Sequence, residues 1–319
     1  MKILIVQNRM GIGDMVIFLP FIEAISKKFN TKVVCLVKKS SKAKEIFADN
    51  SHIKEFIILE RDKGSGEHDG ISGTFNLITV LKKYKFDKIF IFNSSLRFYI
   101  ISKLSGIKEV YQYPLFKKRK QHIINAAKEF LKKSINLEID SSPNIFLDES
   151  LIKTTKDKYN INKNENNILL GIGGSGPTKR VPSHIIIKTM KLINENYNCR
   201  FFLATGKNLE EQKILSDILN SSLGHKCQAL DNLKIKDILP IIKNCNISIC
   251  NDSSFSHLSA ALQIPTIVLM TDTPIIYGNY SPYMHPIIPD GEKIVKHDTL
   301  GKEKINPDKI FYKLKEILS

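Results

Sequence analysis

The sequence predicts an α/β protein made of two doubly wound, parallel-sheet domains, and three observations carry the prediction. Short, wholly apolar runs recur along the 319 residues, helix-length amphipathic segments separate most of them, and the alternation breaks once, between about residues 135 and 165. Strands that are apolar on both faces belong in sheets covered on both sides, and helical connections between them make those sheets parallel.

The first run is KILIVQ, residues 2–7, and the segment FLPFIEAISKKF at 18–29 has the spacing of a helix. Strands follow at KVVCLV (32–37), FIIL (56–59) and KIFIF (88–92), while RDKGSGEHDGISG (61–73) reads as a mobile surface loop. Residues 116–133 open with Lys117, Lys118, Arg119 and Lys120 and continue as a helix with Ile123, Ile124, Ala127, Phe130 and Leu131 on one face. The polar stretch KTTKDKYNINKNENN then separates the halves, which sets a domain boundary near 155: residues 1–155 and 156–319. In the second half strands are expected at NILLGIG (from 167), RFFLATG (from 200), ISIC (from 247) and TIVLM (from 266), with a helix over SHIIIKTMKLINENY. The closing PDKIFYKLKEIL reads as a helix packing back on the first domain. Two such domains are expected to face each other across a cleft. Ligands of these sheets bind outside the carboxyl ends of the strands, which directs attention to the loops after Val6, Leu170, Leu203 and Cys250.

The formal net charge of +16 calls for an anionic partner or a solvated lysine-rich surface. Residues 1–150 hold 26 basic against 16 acidic residues, and residues 151–319 hold 22 against 16, so the excess leans to the first half. Charge alone would admit nucleic acid, but no recognition motif accompanies it, and no nucleic-acid partner is expected. The five cysteines are scattered with no CxxC pair, so reduced, mostly buried thiols are expected, and no zinc site. Met1 runs straight into a strand without a charged-then-apolar leader, and no apolar stretch is of spanning length, which predicts residence in the cytoplasm.

Four loops carry the candidate chemistry. In GIGDMVIFLP the carboxylate of Asp14 stands between the first strand and a helix. An N-cap role there is worth about 0.5–2 kcal/mol. A helix N-terminus also favours the ionised carboxylate that a general base needs, and Gly11 and Gly13 would let the backbone approach a substrate. GIGGSG at 171–176 matches GxGxxG in form, yet PTKRVPSH intervenes before a helix that begins near Pro182 or Ser183, so it is neither a dinucleotide fingerprint nor a P-loop. What remains is a glycine-rich anion loop with Gly173, Gly174, Ser175, Lys179 and Arg180. NDSSFSHLSAALQIP, from residue 251, would open a small-residue helix whose first N–H groups, at Ser253, Ser254 and Phe255, could hold a pyrophosphate. His257 lies one turn inside, either as a packing residue or as a ligand contact. In ATGKNLEEQ, Glu210 and Glu211 suit the hydroxyls of a ribose or the helix dipole. A carboxylate loop followed by anion, acidic and phosphate-type loops describes a nucleotide-linked donor and an activated acceptor.

These residues resemble glycosyltransferase family 9, the lipopolysaccharide heptosyltransferases, whose GT-B fold has two Rossmann-like domains. GIGDMVIFLPFIEAI is similar to the family's opening loop and helix, GGSGPTKRVP to its glycine-rich segment ending in Lys-x-Trp-Pro, and NDSSFSHLSAALQIPTIVL to its Asp-Thr/Ser-Gly-x-x-His-Leu-Ala-Ala signature. The resemblance implies an inverting glycosyltransferase that moves heptose from ADP-heptose to a hydroxyl of the lipopolysaccharide core. The first domain would bind the acceptor and the second the donor. Asp14 then falls in the catalytic-base position, Lys179 at the donor phosphates, Glu210 at the ribose, and Asp252, Ser253 and His257 in the donor-binding signature, with Ser175 and Ser254 beside them. No metal or other cofactor is required in principle. Lys117, Lys118, Arg119 and Lys120 would face an anionic glycolipid acceptor or the inner membrane, at whose cytoplasmic face the protein would work. Two positions depart from the family: Val181 replaces Trp, removing an aromatic surface near the donor, and Ser254 replaces Gly where the backbone meets phosphate. The departures keep open a transferase of the same fold with another nucleotide-sugar, or a non-catalytic nucleotide-sugar or glycan binder.

Overall fold

Each wholly apolar run is a strand in the computed structural model, which describes residues 1–61, 65–115 and 122–319. The chain forms two units, Met1–Ser141 and Ser142–Ser319.

In the first unit the order is β1 (Ile3–Gln7), α1 (Ile12–Lys28), β2 (Val33–Lys38), α2 (Ala43–Ile46), β3 (Ile53–Leu59), α3 (Gly70–Tyr84), β4 (Lys88–Ile91), α4 (Leu96–Leu104), β5 (Glu109–Gln112) and α5 (Ile123–Ile135). The five strands are parallel in the order β3-β2-β1-β4-β5. One face packs Leu4, Val6, Leu36 and Ile91 against Leu77, Leu81, Phe98 and Ile101 of α3 and α4. An aromatic set joining Phe18 and Phe21 of α1, Phe90, Phe92, Tyr113 and Phe130 of α5 fills the interior elsewhere in the unit. Strand β5, EVYQ, escapes a pattern search because it is a short edge strand whose residues are exposed or half-buried. The expected loop at 61–73 is shorter than read, since α3 begins at Gly70 with Asp69 before it. A side chain at Gly73 would lie 2.3 Å from the His68 backbone carbonyl carbon, so this glycine serves close packing inside a helix. Residues 117–120, with Lys117, Lys118, Arg119 and Lys120, lie outside the described residues.

The second unit runs α6 (Glu149–Lys158), β6 (Asn166–Gly171), α7 (Ser183–Asn196), β7 (Cys199–Ala204), α8 (Leu209–Leu219), β8 (Cys227–Ala229), α9 (Ile235–Lys243), β9 (Ile247–Asn251), α10 (Ser254–Ala261), β10 (Thr266–Leu269), β11 (Met284–Ile287) and α11 (Pro307–Leu318). Its six parallel strands are ordered β11-β10-β9-β6-β7-β8. The division at Ser141/Ser142 comes earlier than residue 155 because the intervening segment is already tied to this sheet's layers. Ile145 N–H donates to Ala261 O at 2.8 Å, and Asn244, which caps the end of α9, donates from Nδ2 to Ile152 O of α6 at 3.0 Å. The polar stretch after 150 thus begins as a helix, which ends at Lys158. Helix α11 lies on α7, with Ile310 and Leu314 buried in the core of its own unit. All five cysteines are free thiols, four of them buried. Among the described residues no helix is long and apolar enough to cross a membrane.

Candidate functional site

The second unit concentrates polar groups where its sheet divides. From the central pair β6 and β9, the chain proceeds one way to β7 and β8 and the other way to β10 and β11, so the loops after β6 and β9 part and leave a crevice. Lys179 ends a short turn, Pro177–Lys179, in the first of these loops, and Asp252 follows β9 in the other. Lys179 Nζ lies 2.7 Å from Asp252 Oδ2. Burial, which leaves Asp252 4% exposed, by itself pushes its carboxyl pKa up, but the charges of Lys179 and His257 and the hydrogen bond from Lys179 outweigh that and hold it below the usual range. His257 Nε2 stands 4.0 Å from Asp252 Oδ1, and its Nδ1 is 2.7 Å from the Tyr280 hydroxyl. Burial, reinforced by Asp252, raises the Tyr280 pKa, so the phenol stays neutral. Lys179, Asp252, His257 and Tyr280 therefore form one chain of contacts, and the lysine is its solvent-touched end.

At the start of α10 Ser253 is the N-cap and Ser254 the first helical residue. The Ser253 N–H donates to Ser256 Oγ at 3.4 Å. Ser253 Oγ is buried with no hydrogen-bond partner among the described residues, as is Thr205 Oγ1 after β7. Two orphaned hydroxyls and the uncompensated N–H groups of a helix start are what an oxygen-rich ligand can satisfy. Ser175 is exposed, and Gly173 and Gly174 are buried.

The two neighbouring glutamates separate. Glu210 is exposed and paired with Arg180. Glu211 is buried, accepting from the Gly174 N–H at 2.8 Å and from Asn208 Nδ2. A Cβ at Gly173 would sit 2.7 Å from Glu211 Oε1, so glycine there permits the strut between the β6 and β7 loops. Arg180 completes it by donating from Nε to Gly174 O at 2.9 Å. Asn251, which ends β9, donates to Ile172 O at 2.8 Å and accepts from the Val181 N–H at 3.3 Å. Sequence reasoning missed these bracing roles of Asn251, Glu211 and Tyr280. A polar residue ending the apolar run ISIC was the available signal for Asn251, because a buried amide needs partners. Val181 is fully buried with Ile172 and Ile185 in the core, so this position does not supply a donor-facing surface in this chain.

In the first unit the corresponding division lies between β1 and β4. Asp14 follows β1 as expected but is not the helix N-cap. Gly11 caps α1, and Asp14, three residues on, accepts from the Gly11 N–H at 3.3 Å with Oδ2. Its Oδ1 lies 3.6 Å from Arg9 Nη1, and the side chain keeps 25% of its exposure. Gly13 lies in the same first turn. Gln7 ends β1 buried, taking the Arg9 N–H on Oε1 at 2.9 Å while its Nε2 has no partner among the described residues. Asn8 and Asn93, from the loops after β1 and β4, are joined at 3.1 Å. His122 is held neutral near this loop: burial first, then the Arg9 charge, lowers its pKa to about 4. The result is a solvent-touched carboxylate in a setting of amides and one arginine, suited to taking a proton from a hydroxyl. Among the described residues no group of three or more His, Cys, Asp or Glu side chains is placed to hold a metal ion.

The family model described as glycosyltransferase family 9 (heptosyltransferase) matches residues 107–302. A lipopolysaccharide heptosyltransferase 1 from Campylobacter coli is 29% identical over 163 residues, a match that spans 49% of this chain and about half, 46%, of that relative's length. Among solved structures, an E. coli ADP-heptose lps heptosyltransferase II superposes with a TM-score of 0.75 at 17% identity, covering 100% of this chain and 98% of its own. The E. coli heptosyltransferase WaaC with ADP gives 0.72 at 13% identity, over 99% and 100%. At these identities the structures establish a shared fold, the GT-B type.

Proposed function

The chain belongs to glycosyltransferase family 9, and from that membership we propose that it is an inverting transferase moving heptose from ADP-heptose to a hydroxyl of a lipopolysaccharide core or related surface glycan. The observation that carries the reading is the Lys179–Asp252–His257 constellation at the switch point of the second sheet, inside the matched segment. A lysine beside a helix N-terminus is suited to the charge that gathers on a departing diphosphate. Glu210, exposed beside Arg180, is available to ribose hydroxyls, and the orphaned Ser253 hydroxyl to a phosphate oxygen.

In the reaction Asp14 accepts the proton of the acceptor hydroxyl. That oxygen forms the new bond to the anomeric carbon as the bond from this carbon to the diphosphate oxygen breaks, and ADP leaves with the electron pair. A single displacement inverts the anomeric centre. Arg9 orients the Asp14 carboxylate through Oδ1, which leaves the carboxylate's other lone pairs for the substrate proton. The lipopolysaccharide acceptor is taken from the names of the relatives, and the proposal extends to work at the cytoplasmic face of the inner membrane.

Calorimetric titration with ADP, UDP, GDP and NAD tests the donor. Selective binding of ADP, lost in Lys179→Ala, is the expected result. A preference for UDP or GDP would replace ADP-heptose by another nucleotide-sugar, and no nucleotide binding would turn the reading to a glycan-binding protein.

A further inference from the structure

Helices α3 and α4 cover one face of the first sheet, and they are sewn side by side. Arg97 Nε donates to Thr74 Oγ1 at 2.9 Å, and Ser105, just after α4, donates to Ile78 O at 3.5 Å. Their inner sides bury Leu77, Ile78, Leu81, Phe98 and Ile101. Their outer sides are also apolar. Ile71 is 80% and Phe75 61% exposed on α3, while Leu96, Ile100 and Leu104, at helical four-residue spacing on α4, are 49%, 43% and 52% exposed. Scattered exposed leucines need no explanation, but five large apolar side chains on two adjoining helices, one set a regular stripe, form an uncovered apolar face.

Charge says what covers it. Neither α3 nor α4 contains a single Asp or Glu, whereas they carry Lys82, Lys83, Arg97 and Lys103; of the carboxylates at their ends, Asp69 is paired with Arg61, Glu109 with Lys88, and Asp87 accepts from the Lys2 N–H. A face meant for a second copy of this chain would set these lysines against each other, since the chain is itself strongly basic at +16. An apolar stripe on helices whose own charged side chains are all cations fits an interface whose surface is anionic and whose interior is hydrocarbon. We propose that the outer face of α3 and α4 docks on an anionic lipid bilayer, with Ile71, Phe75, Leu96, Ile100 and Leu104 entering the acyl boundary and the flanking lysines meeting headgroup phosphates. The docking does not depend on the transfer chemistry, because none of these residues belongs to the proposed site.

The test uses the whole chain and vesicles. Because the protein has no tryptophan, Phe75→Trp installs a single reporter. Its emission should shift to the blue, and be quenched by brominated acyl chains, on adding vesicles of phosphatidylethanolamine and phosphatidylglycerol in equal parts. Pure phosphatidylcholine vesicles should have a much weaker effect. In co-sedimentation, Ile100→Glu should reduce binding at least about tenfold, and Lys103→Gln about fivefold on the anionic vesicles alone. Unchanged thermal melting of each variant separates lost docking from lost folding. Unshifted emission, or Ile100→Glu sedimenting as the unmodified chain does, overturns the proposal. A concentration-dependent dimer in sedimentation velocity that Ile100→Glu abolishes would also overturn it, giving the face to a second copy.

Discussion

A buried ion pair makes the most exacting demand on single residues in this chain. Lys179 and Asp252 are 23% and 4% exposed at their side chains, so removing the lysine strands a buried carboxylate. Lys179→Ala is expected to lower stability by about 3 kcal/mol. Asp252→Asn added to it should restore most of that loss, because the double variant has no orphan charge, and ADP affinity should stay low in both. Urea unfolding with parallel ADP titration reads the two effects separately. The same pair sets an acid limit. The Asp252 pKa is lowered on folding, so the unfolded chain binds the proton first, and the pair's stabilisation is present above the usual carboxylate range and lost as pH falls through the folded value. At this scale the sequence was partly readable. A carboxylate after the first strand and a lysine and an aspartate after later ones could be found from strand ends alone. Glu210 and Glu211 could not be told apart, since adjacent residues in a helix's first turn look equivalent until the fold turns one of them inward.

At the scale of elements, α5 has an unusual cap. The His122 Nδ1 accepts from the Ile124 N–H at 3.3 Å, which requires a neutral ring. Burial and Arg9 keep it neutral down to about pH 4, below its ordinary value of 6.5. Between those values the unfolded chain takes up a proton that the folded chain refuses, so stability is full above 6.5 and falls as pH drops toward 4. We expect His122→Asn, whose amide caps without titrating, to flatten the melting temperature between pH 7 and pH 4.5. An equal fall in both proteins would show that the cap is not the sensitive group. Elements were legible in proportion to their burial. Seven of the eight continuous apolar runs are interior strands and the eighth, β3, is an edge strand that still carries the apolar FIIL, whereas β5, β8 and β11 are short strands with polar or proline residues, EVYQ, CQA and MHPI, whose pattern does not rise above loop composition. Likewise α6 has a polar sequence because little of it is buried, Thr155 being its buried residue.

For the whole molecule, the two parallel sheets each place a polar cluster at the point where strand order reverses: Asp14, Arg9 and Asn93 in one, and Lys179, Asp252 and the α10 start in the other. That repetition was implicit in the alternation of apolar runs and helices. The division at Ser141/Ser142 was not, because it depends on which layer the residues after 141 adhere to. The proposed chemistry needs both clusters, one to deprotonate an acceptor and one to hold a leaving nucleotide. The most direct test is product formation: the purified chain is incubated with ADP-heptose and a lipopolysaccharide core acceptor, and the glycan is weighed by mass spectrometry in parallel with Asp14→Asn. The account predicts a one-heptose gain with the unmodified chain, and a loss of at least about a hundredfold in turnover with Asp14→Asn while ADP binding persists. Undiminished transfer by Asp14→Asn would contradict it.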